Sequence, residues 1–141
     1  MQKKSKVKIV LDAWALLSLI FKEEPAAGRV KHILSKEEMP DASIYMSWIN
    51  VGEVCYSIGR RKGLDVAEEI LNDIKNLPVV LHEPSKTDIL AAATLKSKYK
   101  LSYADAFAVS LAQKIDGPIV TGDPEIILLQ DFVKTEELSK R

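Results

Sequence analysis

The chain has 141 residues, 47% hydrophobic and 28% charged, with a single cysteine. That length supports a hydrophobic core without covalent staples, and the lone Cys55 excludes an intramolecular disulfide and argues against a cysteine-based zinc site. Its 20 basic and 20 acidic side chains cancel, so any nucleic-acid partner must be met by a local patch and not by net charge.

Lys3, Lys4, Lys6 and Lys8 precede an apolar run in the manner of a signal peptide. Asp12 interrupts that run, and no segment reaches the roughly 18 apolar residues of a membrane span. The expectation is a cytoplasmic chain with no membrane partner. Residues 7–11 lack polar alternation after Lys8, which suits a strand buried on both faces of a parallel sheet. Residues 13–21 follow as a short, very apolar helix. Pro25 suits the first turn of a second helix, whose stripe is Val30, Ile33 and Leu34, before a turn at Pro40-Asp41.

Residues 43–46 read as the second strand, with Ser47 capping a helix through about Lys62 that Gly63 closes. On it Val51, Val54, Cys55 and Ile58 share one face, and Glu53 lies nearly opposite with Asn50 and Ser57. A further helix covers 64–76, a short third strand 78–81, and Pro84-Ser85 open a helix ending near Lys100. Ser102-Tyr103-Ala104-Asp105 has capping-box spacing, with Asp where Glu is usual. The helix it opens, to about Ile115, is apolar on nearly every side and therefore buried. Gly117-Pro118 end it, 119–121 form a fourth strand, and Gly122-Asp123-Pro124 start a short helix through Leu129. Phe132 and Val133 are placed in a fifth, edge strand. Strands alternating with helices predict one α/β domain over 1–141, with a mainly parallel sheet of four or five strands.

Four carboxylates stand at element starts or beside apolar residues: Asp12, Glu53, Asp105 and Asp123. Each has a local explanation. Asp12 and Asp123 can cap the helices that follow them, Asp105 can complete its capping box, and Glu53 can be a solvated helix residue. The other reading is a shared site, since two of the four directly follow strands, where open α/β sheets bind ligands. Converging acids repel one another and raise their own pKa values, and a divalent cation removes that penalty. Hard oxygen ligands suit Mg²⁺ or Mn²⁺, which can neutralise charge on a phosphodiester. Spacing leaves both readings open. The two histidines, His32 and His82, form no ligand-spaced pair. The run Arg60-Arg61-Lys62 is locally basic, either a solvated helix end or a set of RNA contacts.

Four motifs carry a family resemblance: Ile9-Val10-Leu11-Asp12 with Ala15-Leu16-Leu17, Asn50-Val51-Gly52-Glu53-Val54, Ser102-Tyr103-Ala104-Asp105-Ala106-Phe107-Ala108, and Val120-Thr121-Gly122-Asp123. None is specific alone. In this order and at these intervals, over nearly the whole chain, they resemble PIN-domain nucleases and among them the small prokaryotic VapC-type toxins. The resemblance implies a three-layer α/β/α fold and an acidic quartet of Asp12, Glu53, Asp105 and Asp123 that binds Mg²⁺ or Mn²⁺. It also implies endoribonuclease cleavage of RNA, a homodimer, and a VapB-type antitoxin that occludes the groove. Thr121, Asn50 and Ser102 are the expected supporting or substrate-contacting residues. Many relatives carry Ser or Thr after the first Asp, whereas Ala13 and Trp14 stand here. Thr121 retains a hydroxyl two residues before the last acid.

Two alternatives stay beside this reading, a non-catalytic protein-binding module of the same fold and a housekeeping RNA-processing nuclease. A phosphatase using Asp12 as nucleophile is disfavoured, because Trp14 stands where a second acid is needed. Trp14, Leu17, Ile20 and Phe21 are more apolar than a short helix requires, which leaves surface for a dimer mate or antitoxin.

Overall fold

In the computed structural model, which describes residues 7–140, the run VKIVL forms strand β1 (Val7–Leu11) at the centre of a five-stranded sheet. Lys3, Lys4 and Lys6 lie outside the described residues. The other strands are β2 (Ala42–Ser47), β3 (Val80–His82), β4 (Ile119–Thr121) and β5 (Thr135–Glu137), in the order β3-β2-β1-β4-β5. Every neighbouring pair is parallel. Parallel neighbours need crossovers, and helices provide them. These are α1 (Ala13–Ile20) and α2 (Ala26–Leu34), α3 (Trp48–Lys62) and α4 (Leu64–Lys75), α5 (Lys86–Lys98) and α6 (Tyr103–Ile115), and the short α7 (Pro124–Ile127).

Side chains alternate across a strand, so β1 feeds two cores. Val10 packs with Phe107, Leu111 and Ile119 under α5 and α6, while Ile9 and Leu11 pack with Val30, Ile33 and Ile44 under α1 and α2. Met46, Leu16, Val54 and Ile58 join α1, α3 and α4 in a third cluster. The result is a three-layer α/β/α sandwich whose central strand is buried on both faces, as its unbroken apolar run predicts. The strand order is what positions a site. From β1 the chain steps outward to β2 and β3, then crosses back to place β4 on the other side of β1. The reversal opens a crevice at the carboxyl ends of β1 and β4, where Asp12 and Thr121 stand.

Several local expectations need correction. The fifth strand is Thr135–Glu137 and not Phe132 and Val133. Val133 is buried in the core, and Phe132 stacks on Tyr99 with ring centroids 5.0 Å apart. Packing of these two side chains therefore takes precedence over pairing. The third strand begins at Val80. Ser85 and Asp88 form a complete capping box at α5, but at α6 only half of one exists. Ser102 Oγ accepts the Asp105 N–H at 3.0 Å, with no return bond from the Asp105 carboxylate. The apolar surface of α1 is taken up only in part within the chain: Leu17, Ile20 and Phe21 pack half-buried against the third core cluster and Trp14 against the second. Among the described residues no helix is long and apolar enough to cross a membrane.

Trp14 has a further contact that explains one glycine. A Cβ added at Gly122 would overlap the Trp14 indole, whose ring also carries the Lys140 ammonium 4.6 Å from its centroid. The turn between Thr121 and Asp123 can follow its course only with no side chain at that point. Gly122→Ala is therefore expected to lose about 1–3 kcal/mol by overpacking. The loss should appear in urea unfolding together with a change in tryptophan fluorescence, and an unchanged midpoint would refute the contact's importance.

Candidate functional site

Asp12 ends β1 and caps α1, its Oδ1 accepting the Ala15 N–H at 2.8 Å. It is only 1% exposed. Its other oxygen accepts a hydrogen bond from the Thr121 hydroxyl. That hydroxyl in turn accepts the Asp123 N–H at 2.9 Å, and Asp123 Oδ1 accepts the Glu125 N–H at 2.9 Å to cap α7. Thr121, fully buried, thus joins the ends of β1 and β4. The capping reading of Asp12 and Asp123 holds, each at the start of its helix, and the charge of Asp123 is felt at Asp12.

Asp105 reaches the same place from α6. Freed from the second half of a capping box, its buried carboxyl lies close enough to that of Asp123 for a hydrogen bond that favours the protonated form of Asp105. Burial, the Asp123 charge and this bond push Asp105 up to about 8, with Ser102 opposing and Asp12 adding to the rise. For Asp12, burial is the largest cause and lifts it to about 7, against the hydrogen bonds from Thr121 and Ala15 and with the charges of Asp123 and Glu53. Glu53 is raised by burial first, the Asn50 amide opposing and the Asp123 charge adding. The four acids therefore sense one another electrostatically, although each comes from a different segment. The positive ends of α1 and α6 point at the cluster and offset part of its charge.

The supporting residues divide. Thr121 and Ser102 hold Asp12 and Asp105 as described. Asn50 is not on an open face, as periodicity suggested, but fully buried, its Nδ2 donating to the Ala104 carbonyl at 3.1 Å and so fixing α3 against α6. Asn50 Oδ1 and Glu53 Oε1 are the two buried side-chain acceptors left without a partner among the described residues. Arg60, Arg61 and Lys62 lie at the far end of α3, about two turns beyond Glu53, and none is ion-paired with the four acids. Arg61 stacks over Phe21 at 4.5 Å. Sequence reading missed the Trp14–Gly122 contact, for which the only signal was a glycine between two polar site positions.

The donor set consists of hard carboxylate oxygens, one of them orphaned, with Asp105 and Asp12 both raised by burial. This composition fits a small divalent cation. Among the described residues no three His, Cys, Asp or Glu side chains are arranged so that they could together hold a metal ion. A cation of the Mg²⁺ type, which keeps several waters and uses one or two carboxylates, does not need three.

A parallel α/β sandwich with an acidic cluster at its switch point defines the class of this molecule. The sequence matches the PIN domain over residues 9–130, and the chain belongs to the PIN domain family. Similar solved structures include VapBC2 from Rickettsia felis bound to a promoter DNA fragment, at 12% identity and TM-score 0.70, covering 94% of this chain and 100% of that one. Another is the sarcin-ricin loop cleaving toxin VapC20 of Mycobacterium tuberculosis, at 15% identity and TM-score 0.70, covering 86% and 94%. VapBC-1 from nontypeable Haemophilus influenzae shares 17% identity with TM-score 0.67, covering 93% and 98%. At these identities the structures attest the fold. No curated protein matches in sequence.

The raised pKa values fix a direction for stability. Asp12 and Asp105 titrate near 7 and 8 when folded and near 3.8 when unfolded, so between about pH 4 and 8 the folded chain binds more protons. Metal-free protein should lose stability as pH rises through that window. Thermal unfolding in EDTA at pH 5, 6, 7 and 8 is expected to show a falling midpoint, flattened in Asp105→Asn. A midpoint that rises with pH in the wild type would contradict the cluster.

Proposed function

We propose that this chain is a divalent-metal-dependent endoribonuclease, the toxin of a VapBC-type toxin-antitoxin pair, with 1–141 acting as one catalytic domain. The observation that carries the reading is the meeting of Asp12, Glu53, Asp105 and Asp123 at the sheet's switch point, with one Glu53 oxygen buried and unpartnered. Membership of the PIN domain family supports the nuclease class. Neighbours named as VapBC assemblies support a VapB-type antitoxin partner, and a homodimer in the cytoplasm belongs to the same reading.

Asp12, Glu53, Asp105 and Asp123 would hold Mg²⁺ or Mn²⁺. Bound there, such a cation supplies positive charge against a phosphodiester and its leaving oxygen. The chain's own residues do the rest. Asp12 is held rigid by two hydrogen bonds, so it enters the site at no ordering cost. Thr121 sets the separation of Asp12 from Asp123, replacing the hydroxyl that Ala13 lacks. Glu53 Oε1, free to accept, can orient water at the crevice.

The test is sequencing of RNA ends after incubation with and without Mg²⁺, for wild type, Asp12→Asn and Thr121→Val. Wild type should generate defined ends only with the cation, and Asp12→Asn none. Thr121→Val should be slower by about 10- to 100-fold, the usual cost of removing a group that orients a metal ligand. Cleavage that survives EDTA, or full cleavage by Asp12→Asn, would refute the reading. Absence of Mn²⁺ binding at millimolar concentration would point to a non-catalytic module.

A further inference from the structure

Gly52 lies inside α3, one residue before Glu53, where a glycine weakens a helix relative to alanine. Nothing inside the chain asks for it, because an added Cβ would meet no atom within 4 Å. The residue is exposed, so the reason for a missing side chain lies outside the molecule. At about 100° per residue, Ile49, Glu53, Tyr56 and Arg60 fall within about 60° of one another, with Gly52 at their border. Val51, Val54 and Ile58 point the other way, into the core. Ile49 and Tyr56 are among the exposed large side chains, Tyr56 at 55%. The Arg60 guanidinium lies over the Tyr56 ring, 5.3 Å from its centroid. Of the three consecutive cations, Arg61 is committed to Phe21 and Lys62 falls on the opposite side of the helix, so only Arg60 shares the face of Glu53.

We propose that this stripe of α3 is the track along which single-stranded RNA passes the acidic cluster: Gly52 admits the sugar-phosphate backbone, an unpaired base stacks on Tyr56, and Arg60 holds a phosphate. The proposal rests on the endoribonuclease reading and adds to it a place for the substrate. A half-exposed aromatic ring with a guanidinium over one face is a stacking platform that can take a base in the guanidinium's place or on the other face. A cation two turns beyond the acids, roughly 10 Å along the helix, complements a chain of phosphates leaving them. A protein partner would want an apolar patch, and between Ile49 and Arg60 this face offers a glycine, a carboxylate and a single tyrosine.

The test is fluorescence anisotropy of a labelled single-stranded oligoribonucleotide against the full chain carrying Asp12→Asn, which blocks cleavage. Adding Tyr56→Ala should weaken binding about tenfold, and Tyr56→Trp should restore it. Arg60→Ala should lower the slope of log affinity against log salt by about one. Gly52→Leu should raise the unfolding midpoint while weakening binding, a combination that misfolding cannot produce. Binding indifferent to Tyr56 and Arg60, or no binding by the Asp12→Asn chain, overturns the proposal. So does unchanged RNA binding with loss of self-association in Tyr56→Ala, which would make the stripe a protein interface. Wild-type cleavage with Mn²⁺, run in parallel, judges the nuclease reading separately. Cleavage with Tyr56-independent binding sinks the track alone, and Tyr56-dependent binding without cleavage sinks the nuclease alone.

Discussion

The Thr121 hydroxyl donates to a buried carboxylate of β1 and accepts the backbone N–H of the acid that follows β4. This one group ties together the segments that leave β1 and β4, beyond the backbone ladder that sets their register. Without it Asp12 would be a nearly fully buried charge with a single N–H for company, an arrangement that costs several kcal/mol in an apolar setting. The placement of Asp123 follows from the same anchor, since its N–H is bound by Thr121 across Gly122, and Asp105 lies within reach of its charge.

Around that anchor, stability and function use the same atoms. Asp12 and Asp123 cap helices, which offsets part of the cost of burying them. The remaining cost of burial, with the repulsion between the acids adding to it, is not offset within the chain, and it appears as carboxyls that keep protons near neutral pH. In the proposed metal site these are the protons that a bound cation would displace. The surrounding structure tolerates the strain because the central strand is locked between two cores, so the crevice cannot relax by moving β1.

Much of this was legible in the residues. The apolar run 9–11 that follows Lys8 marked a strand buried on both faces, and Ser47 and Gly63 marked the ends of α3 because caps act locally. The four acids were legible as candidates but not as a cluster, since convergence depends on strand order and nothing local encodes β4 returning beside β1. Asn50 was misplaced for a related reason. Its helix face is polar by periodicity, yet tertiary packing of α3 on α6 buries it and pays for that burial with a bond to Ala104. Phe132 and Val133 read as a strand by composition, but their side chains are taken up by Tyr99 and the core, and pairing shifted to a more polar segment. The contact of Trp14 with Gly122 joins residues more than a hundred positions apart, beyond the reach of any local pattern.

The central claim is that the carboxyls at the switch point hold protons that a divalent cation displaces. Calorimetric titration of Mn²⁺ at pH 7, repeated in buffers of different ionisation enthalpy, counts the protons released on binding. The account predicts release of between about one and one and a half protons per cation, because Asp12 and Asp105 are raised to about 7 and about 8, and a smaller count in Asp105→Asn. Binding with no proton release, or no binding at all, would contradict it.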